Sequence, residues 1–128
     1  MKDCKLTIQI NRPVSEVFEY TTNPKNTHVW VPSIVNEETN EWPVKVGRIY
    51  RNVNKEGVWS EYVVTEFEKD ETFTFAQKNS AYHVRYTFTP LDSNSCEMEY
   101  YEWIDEGELS DPFTQDILES LKTILEKK

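Results

Sequence analysis

The sequence has little of what builds metal centres, disulfide scaffolds or membrane spans. Its 128 residues include two cysteines, Cys4 and Cys96, and two histidines, His28 and His83. Neither cysteine has a His or Cys at ligand spacing, and no HExxH, CxxC or nucleophile-elbow string occurs. A zinc site and a Ser-His-Asp triad therefore have no support, no metal or cofactor is expected, and the thiols read as small side chains within strands. No apolar run approaches the ~20 residues of a membrane span. The first residues, Met-Lys-Asp-Cys-Lys, lack the apolar stretch of a signal peptide. These absences predict a cytoplasmic protein without membrane insertion. Bases are also scarce, with fourteen Lys and Arg against twenty-three Asp and Glu, a net charge of −9. Nucleic acid and anionic membrane surfaces select for Lys and Arg, so neither is an expected partner.

Charged residues make up 29% and aromatics 13%, which excludes a disordered or fibrous chain. The length suits one domain able to bury a core without covalent staples. The acidity is uneven. Residues 1–64 carry eight acids and eight bases, whereas residues 65–128 carry fifteen acids and six bases. Seven acids fall between Glu97 and Asp111 with no base among them. Such a stretch is either a solvated strand edge that discourages edge-to-edge pairing or a dock for a basic protein partner. Its spacing does not fit a calcium loop.

Leu6, Ile8 and Ile10 alternate with polar residues, so 3–10 reads as a half-buried strand. Pro13 suits a first helical turn, and Val14, Val17 and Phe18 give 13–21 an amphipathic stripe. Asn23-Pro24 signals a second short helix over about 24–30, stopped by Pro32. Strands are then predicted at 33–39, 47–53, 58–67, 72–78, 81–89 and 96–104. Turns are predicted at Asn54–Gly57, Glu68–Glu71, Asn79-Ser80 and Pro90–Ser95. Consecutive hairpins of this kind make an antiparallel meander. Ser110-Asp111 offers a cap and Pro112 a start for a final helix. In it Phe113, Ile117, Leu121 and Leu125 recur every four residues, with Leu118 and Ile124 beside them. Lys122, Lys127 and Lys128 lie near its end, where the helix dipole favours cations.

Alternation assigns Tyr82, Val84, Tyr86 and Phe88 to one face of their strand, and Cys96, Met98, Tyr100 and Glu102 to one face of the next. A hairpin through 90–95 pairs Tyr86 with Met98, Val84 with Tyr100 and Arg85 with Glu99. The Asn79-Ser80 turn pairs Phe75 with Val84 and Phe73 with Tyr86. For 58–67 the pattern leaves two registers open: Trp59, Val63 and Phe67 inward, or Tyr62 and Val64. The apolar face thus carries Phe73, Phe75, Tyr86, Phe88, Met98 and Tyr100, with the last helix across it. Those rings either fill a core or line a cavity for a small apolar molecule.

The order of elements and several strings resemble the SRPBCC superfamily, the START-like or helix-grip domains that include the polyketide cyclase/dehydrase and lipid-transport group. The resemblance rests on Ile8-Gln-Ile-Asn-Arg-Pro-Val-Ser-Glu-Val-Phe-Glu-Tyr20, Asn23-Pro24 leading to Trp30-Val-Pro32, and Val46-Gly-Arg-Ile-Tyr50. It continues through Tyr62-Val-Val-Thr-Glu-Phe-Glu68, Tyr86-Thr-Phe-Thr-Pro90 and the closing Leu/Ile helix. It implies an α+β helix-grip fold over residues 1–128. In that fold a curved seven-stranded antiparallel sheet wraps a long C-terminal helix, and two short helices follow the first strand. It also implies a cavity between sheet and helix for a lipid, polyketide or quinone. The candidate ligand contacts are Trp30, Tyr62, Phe73, Phe75, Tyr82, Tyr86, Phe88, Met98, Tyr100, Phe113, Ile117 and Leu121. The superfamily shares no catalytic motif.

Three function classes follow. A carrier needs only the cavity, a few hydrogen-bond donors and an opening, for which Asn52–Gly57 and Glu106–Ser110 are the candidate loops. A cyclase or dehydrase also needs an acid–base group in the pocket. Glu102 is the candidate by alternation, although a place at the strand end would put it in water. Arg51 is a second candidate if Ile49 and Val53 face inward; otherwise Arg48 and Arg51 are exposed. An interaction module of chaperone-activator type would use 97–111, and its binding would weaken steeply with salt. Tyr101 and Trp103, opposite the pocket list, would suit a homodimer contact.

Overall fold

The computed structural model describes residues 2–40, 45–110 and 112–127. Its elements are β1 (Asp3–Ile10), α1 (Val14–Thr22), α2 (Thr27–Trp30), β2 (Ile34–Thr39), β3 (Ile49–Asn54), β4 (Trp59–Glu68), β5 (Thr72–Gln77), β6 (Tyr82–Asp92), β7 (Ser95–Ile104) and α3 (Gln115–Glu126). The strands form one antiparallel sheet in the order β1-β7-β6-β5-β4-β3-β2. The sheet curls around α3, which gives the START-like, helix-grip architecture that the element order predicts. No helix among the described residues is long and apolar enough to cross a membrane.

The meander follows from local chemistry. Asn54 closes the β3–β4 turn by accepting the Glu56 and Val58 amides at 2.9 and 3.0 Å, and Gly57 supplies the positive φ of 81°. Asn79, at φ 60°, turns β5 into β6 and pairs Phe75 with Val84 and Phe73 with Tyr86, as the alternation predicts. A bulge settles the ambiguous β4. The register shifts between Val64 and Glu66, so Thr65 is the extra residue. Val64 is fully buried and Phe67, three residues on, also packs on the core. Both candidate sets therefore contribute to the inner face, and Trp59 is left 46% exposed.

The β6–β7 register differs from the expected one by two residues. Tyr86 pairs with Tyr100, Val84 with Glu102 and Arg85 with Tyr101. The cause is the turn. β6 continues through Pro90 to Asp92, and a tighter turn at Ser93-Asn94 closes it, with Asp92 Oδ1 accepting the Asn94 amide at 2.7 Å. A two-residue slip preserves the faces, so the inner list stands. The Arg85–Glu99 pair does not form; Arg85 meets Glu66 at 3.8 Å and lies over the Trp103 ring. Tyr101 and Trp103 stack on each other on the outer face.

Helix boundaries also shift. Pro13 is the N-cap rather than the first helical residue of α1. Asn23 ends α1 instead of starting α2, its amide donating to the Glu19 carbonyl and its side chain turning back on the Lys25 amide. The second helix is consequently only Thr27–Trp30. α3 begins at Gln115, after Thr114, because Phe113 is held in an extended stretch by Glu102 and Tyr100. Of the expected cap, Asp111 lies outside the described residues.

Leu118, Leu121 and Leu125 of α3 are fully buried against the β1 side of the sheet. Each contributes roughly 1.5–3 kcal/mol of apolar burial. The end of α3 is held by Arg12. Its Nε donates to the Leu125 carbonyl at 2.9 Å and its Nη2 to that of Glu126 at 3.2 Å. Lys122 instead pairs with Glu126 at 2.6 Å, and Lys128 lies outside the described residues.

Candidate functional site

α3 makes its main strand contacts with β1, which leaves space over the inner faces of β3 to β6. A cavity of about 440 Å³ remains there, within the roughly 300–1,000 Å³ of small-molecule sites. Its walls are the aromatic inner face of the sheet, the α2–β2 segment (Thr27, Val31, Ile34, Glu37) and residues 108–110 with Phe113. No residue of α3 lines it. This corrects the expected position between sheet and C-terminal helix: the leucines of α3 pack flush, and the segment before the helix forms the roof.

The structure brings Tyr62, Phe73, Phe75, Tyr82, Tyr86, Tyr100 and Phe113 of the predicted contacts onto the cavity wall. It places the others in the surrounding core. Trp30 is buried against Tyr86 and Phe113, and Phe88 meets the edge of Phe18. Met98 and Leu121 are fully buried and Ile117 is half-buried beside them. The wall is stiffened by ring contacts, with Tyr100 stacked on Phe113 at 4.0 Å and Phe73 stacked near Tyr86 at 6.0 Å. The exposed residues Ser80, Glu108 and Ser110, with Asn54, mark its mouth, so both candidate loops contribute to the opening. Gly57 and Gly107 serve as turn residues at φ 81° and 89°.

Glu102 does not reach water at the strand end; it is 1% exposed. One oxygen accepts the Tyr82 hydroxyl at 3.1 Å and the other accepts the Phe113 amide at 2.9 Å. Both oxygens are therefore engaged in holding the roof to the sheet. The Tyr100 hydroxyl is in turn coupled to that of Tyr82. Burial pushes the phenols of Tyr50, Tyr82, Tyr86 and Tyr100 well above the ordinary tyrosine range, so they enter the cavity as neutral groups.

A second carboxyl was not foreseen. Glu37 of β2 turns into the cavity, where its oxygens accept the Thr27 hydroxyl at 2.5 Å and the Asn52 side-chain amide at 3.1 Å. Desolvation raises its pKa from 4.5 to about 7, even against the opposing effect of those two hydrogen bonds. The Tyr50 hydroxyl donates to the Thr22 carbonyl and fixes its ring beside this group. The signal was present in the string Asn36-Glu-Glu-Thr39, but it needs the β2–β3 register, in which Glu37 faces Asn52 and Glu38 faces Arg51. Arg51 thus points outward, pairing with Glu38 at 2.6 Å and covering Trp59. Arg48 is half-buried just before β3 and lies off the cavity wall. Cys4 is half-buried and Cys96 fully buried, and both are free thiols. Among the described residues no group of three His, Cys, Asp or Glu is placed to hold a metal.

Residues 1–127 match the family described as polyketide cyclase/dehydrase and lipid transport. The chain belongs to that family. The match agrees with the SRPBCC, START-like architecture and makes this cavity part of a ligand-binding fold. Solved structures share this fold at low sequence identity. The di-domain ARO/CYC BexL from the BE-7585A biosynthetic pathway superposes with a TM-score of 0.77 at 16% identity, over 98% of this chain and 47% of that one. An uncharacterized protein from Bacillus thuringiensis gives 0.74 at 16% identity, over 95% and 97%. A START superfamily protein from Mycobacterium smegmatis gives 0.69 at 15% identity, over 99% and 96%. Comparison with curated proteins finds no match.

Proposed function

We propose that the protein binds one small, largely apolar molecule in this cavity. The observation that carries the reading is the lining. Eight aromatic rings line about 440 Å³ of space, interleaved with a dozen non-aromatic polar side chains. The rings supply apolar contact area and the tyrosines, Asn52 and Glu37 supply orientation. A titration with the neutral dye N-phenyl-naphthylamine tests it. A saturable one-to-one rise in fluorescence is expected. It should be lost in Ile34→Trp and in Ser110→Trp, which push an indole into the cavity from two sides. A signal that survives both variants places the dye elsewhere and contradicts the reading.

An acid–base enzyme of cyclase or dehydrase type is the second reading. The observation favouring it is Glu37 rather than Glu102. A carboxyl titrating near neutrality inside an apolar pocket can give or take a proton at working pH. Glu102 has both oxygens committed to Tyr82 and the Phe113 amide, which suits a positioning role.

A further inference from the structure

The charge on the cavity wall is one-sided. Among the described residues its lining has no Lys, Arg or His, and the carboxyls of Glu37 and Glu102 lie within it; Glu108, at the mouth, has cations beside it. The partners of Glu37 are a hydroxyl and a side-chain amide, both neutral, so among the described residues no cation pairs with it. Nearby, Thr21 is 4% exposed, lies on the wall, and holds a buried hydroxyl with no hydrogen-bond partner. A buried polar atom left unpaired is unfavourable unless something else satisfies it. Aromatic rings add to the same preference, because their faces attract cations, most strongly when both are desolvated. An anion entering this space would meet carboxyls across a poorly screened interior.

We propose that the cavity is selective for a protonated amine carried on an apolar body, with the ammonium group at Glu37, and that it rejects carboxylates of the same shape. The apolar body lies against the rings of β4 to β6, and a further polar atom of the ligand can take up Thr21. This deepens the ligand-binding reading and rests on it. It makes a free fatty acid or an acidic polyketide the wrong class of occupant. It makes an aromatic or alicyclic amine the right one.

Three probes that differ only in the head group decide it: naphthylmethylamine, naphthylmethanol and naphthoic acid, titrated by calorimetry near pH 8. The amine should bind about tenfold or more tightly than the alcohol, as a charge-assisted hydrogen bond implies. The acid should bind most weakly. Glu37→Gln should abolish the amine's advantage over the alcohol. If that variant fails to fold, the wild-type pH series carries the same information. Glu37 is faced by Thr27 from α2, Tyr50 and Asn52 from β3, Tyr62 from β4 and Tyr86 from β6, none of them basic. The amine's advantage should therefore fall as the pH drops from about 8 to about 5.5 and this carboxyl takes up its proton. An alcohol that binds as well as the amine, an acid that binds best, or an advantage indifferent to both Glu37→Gln and pH overturns the inference while leaving the cavity reading intact. Failure of all three probes to bind overturns both.

Discussion

Glu37 is held in the cavity wall at some cost to the folded state, and that cost depends on pH. Its folded pKa, about 7, lies above the ordinary value of 4.5, so the folded protein binds this proton more tightly than the unfolded chain does. The stabilisation is fully present below about pH 4.5 and is lost as the pH rises through about 7. Between pH 5 and 8 wild type should lose on the order of 2 kcal/mol of stability relative to Glu37→Gln. Urea unfolding of both proteins at the two pH values measures this. Parallel pH profiles would contradict it. Glu37 was illegible in the sequence because its strand reads as weakly patterned, and only pairing with β3 sets it opposite Asn52. Glu102 was legible by alternation alone, since period-2 side-chain direction survives even a wrong register. What alternation could not supply is its two partners, because one of them, the Phe113 amide, comes from beyond the strand's own hairpin.

Among the elements, α3 shows how a loop can set a helix in place. It presents its leucines to β1 while Arg12, in the β1–α1 connection, binds the carbonyls at its far end. The Asn11 amide and Lys122 both bind the Glu126 carboxylate, at 2.8 and 2.6 Å, and hold it below the usual carboxylate range. Arg12→Ala should lose about 1–2 kcal/mol of stability, the worth of two charge-assisted hydrogen bonds in a partly buried place. Arg12→Lys should recover less than half of it, because an ammonium lacks the planar fork that spans two carbonyls. Chemical denaturation of the three proteins checks both, and an Arg12→Ala protein as stable as wild type would remove the clamp from the account. The strands were readable where turn residues carry a specific backbone demand, as at Asn79 and Gly57. They were misread where the turn was longer in sequence than in space. Pro90 looked like a turn residue yet continues β6 to Asp92, and the bulge at Thr65 let two incompatible apolar patterns share one face.

At the scale of the whole molecule, the sheet is used in two ways. Its β1 side is packed solid by α3, and its β3–β6 side is roofed by residues 108–110 and Phe113, with the cavity beneath. The sequence carried the element order, the inner face and the family, because these depend on period and succession. It placed the cavity under the helix, because an apolar stripe does not reveal which part of a sheet it will cover. The acidic stretch from Glu97 is likewise divided by the fold: Glu97 and Glu106 are exposed, Asp105 meets His83 at 2.8 Å, and Glu102 turns inward.

The central claim is that a small molecule occupies the β3–β6 side. Amide chemical-shift mapping with the neutral probe naphthylmethanol tests it most directly. The account predicts saturable shifts at Thr21, Glu37, Asn52 and Phe113, and none at Leu118, Leu121 or Leu125. Shifts confined to α3 or to the outer face around Trp59 and Trp103, or no shifts at saturating probe, would contradict it.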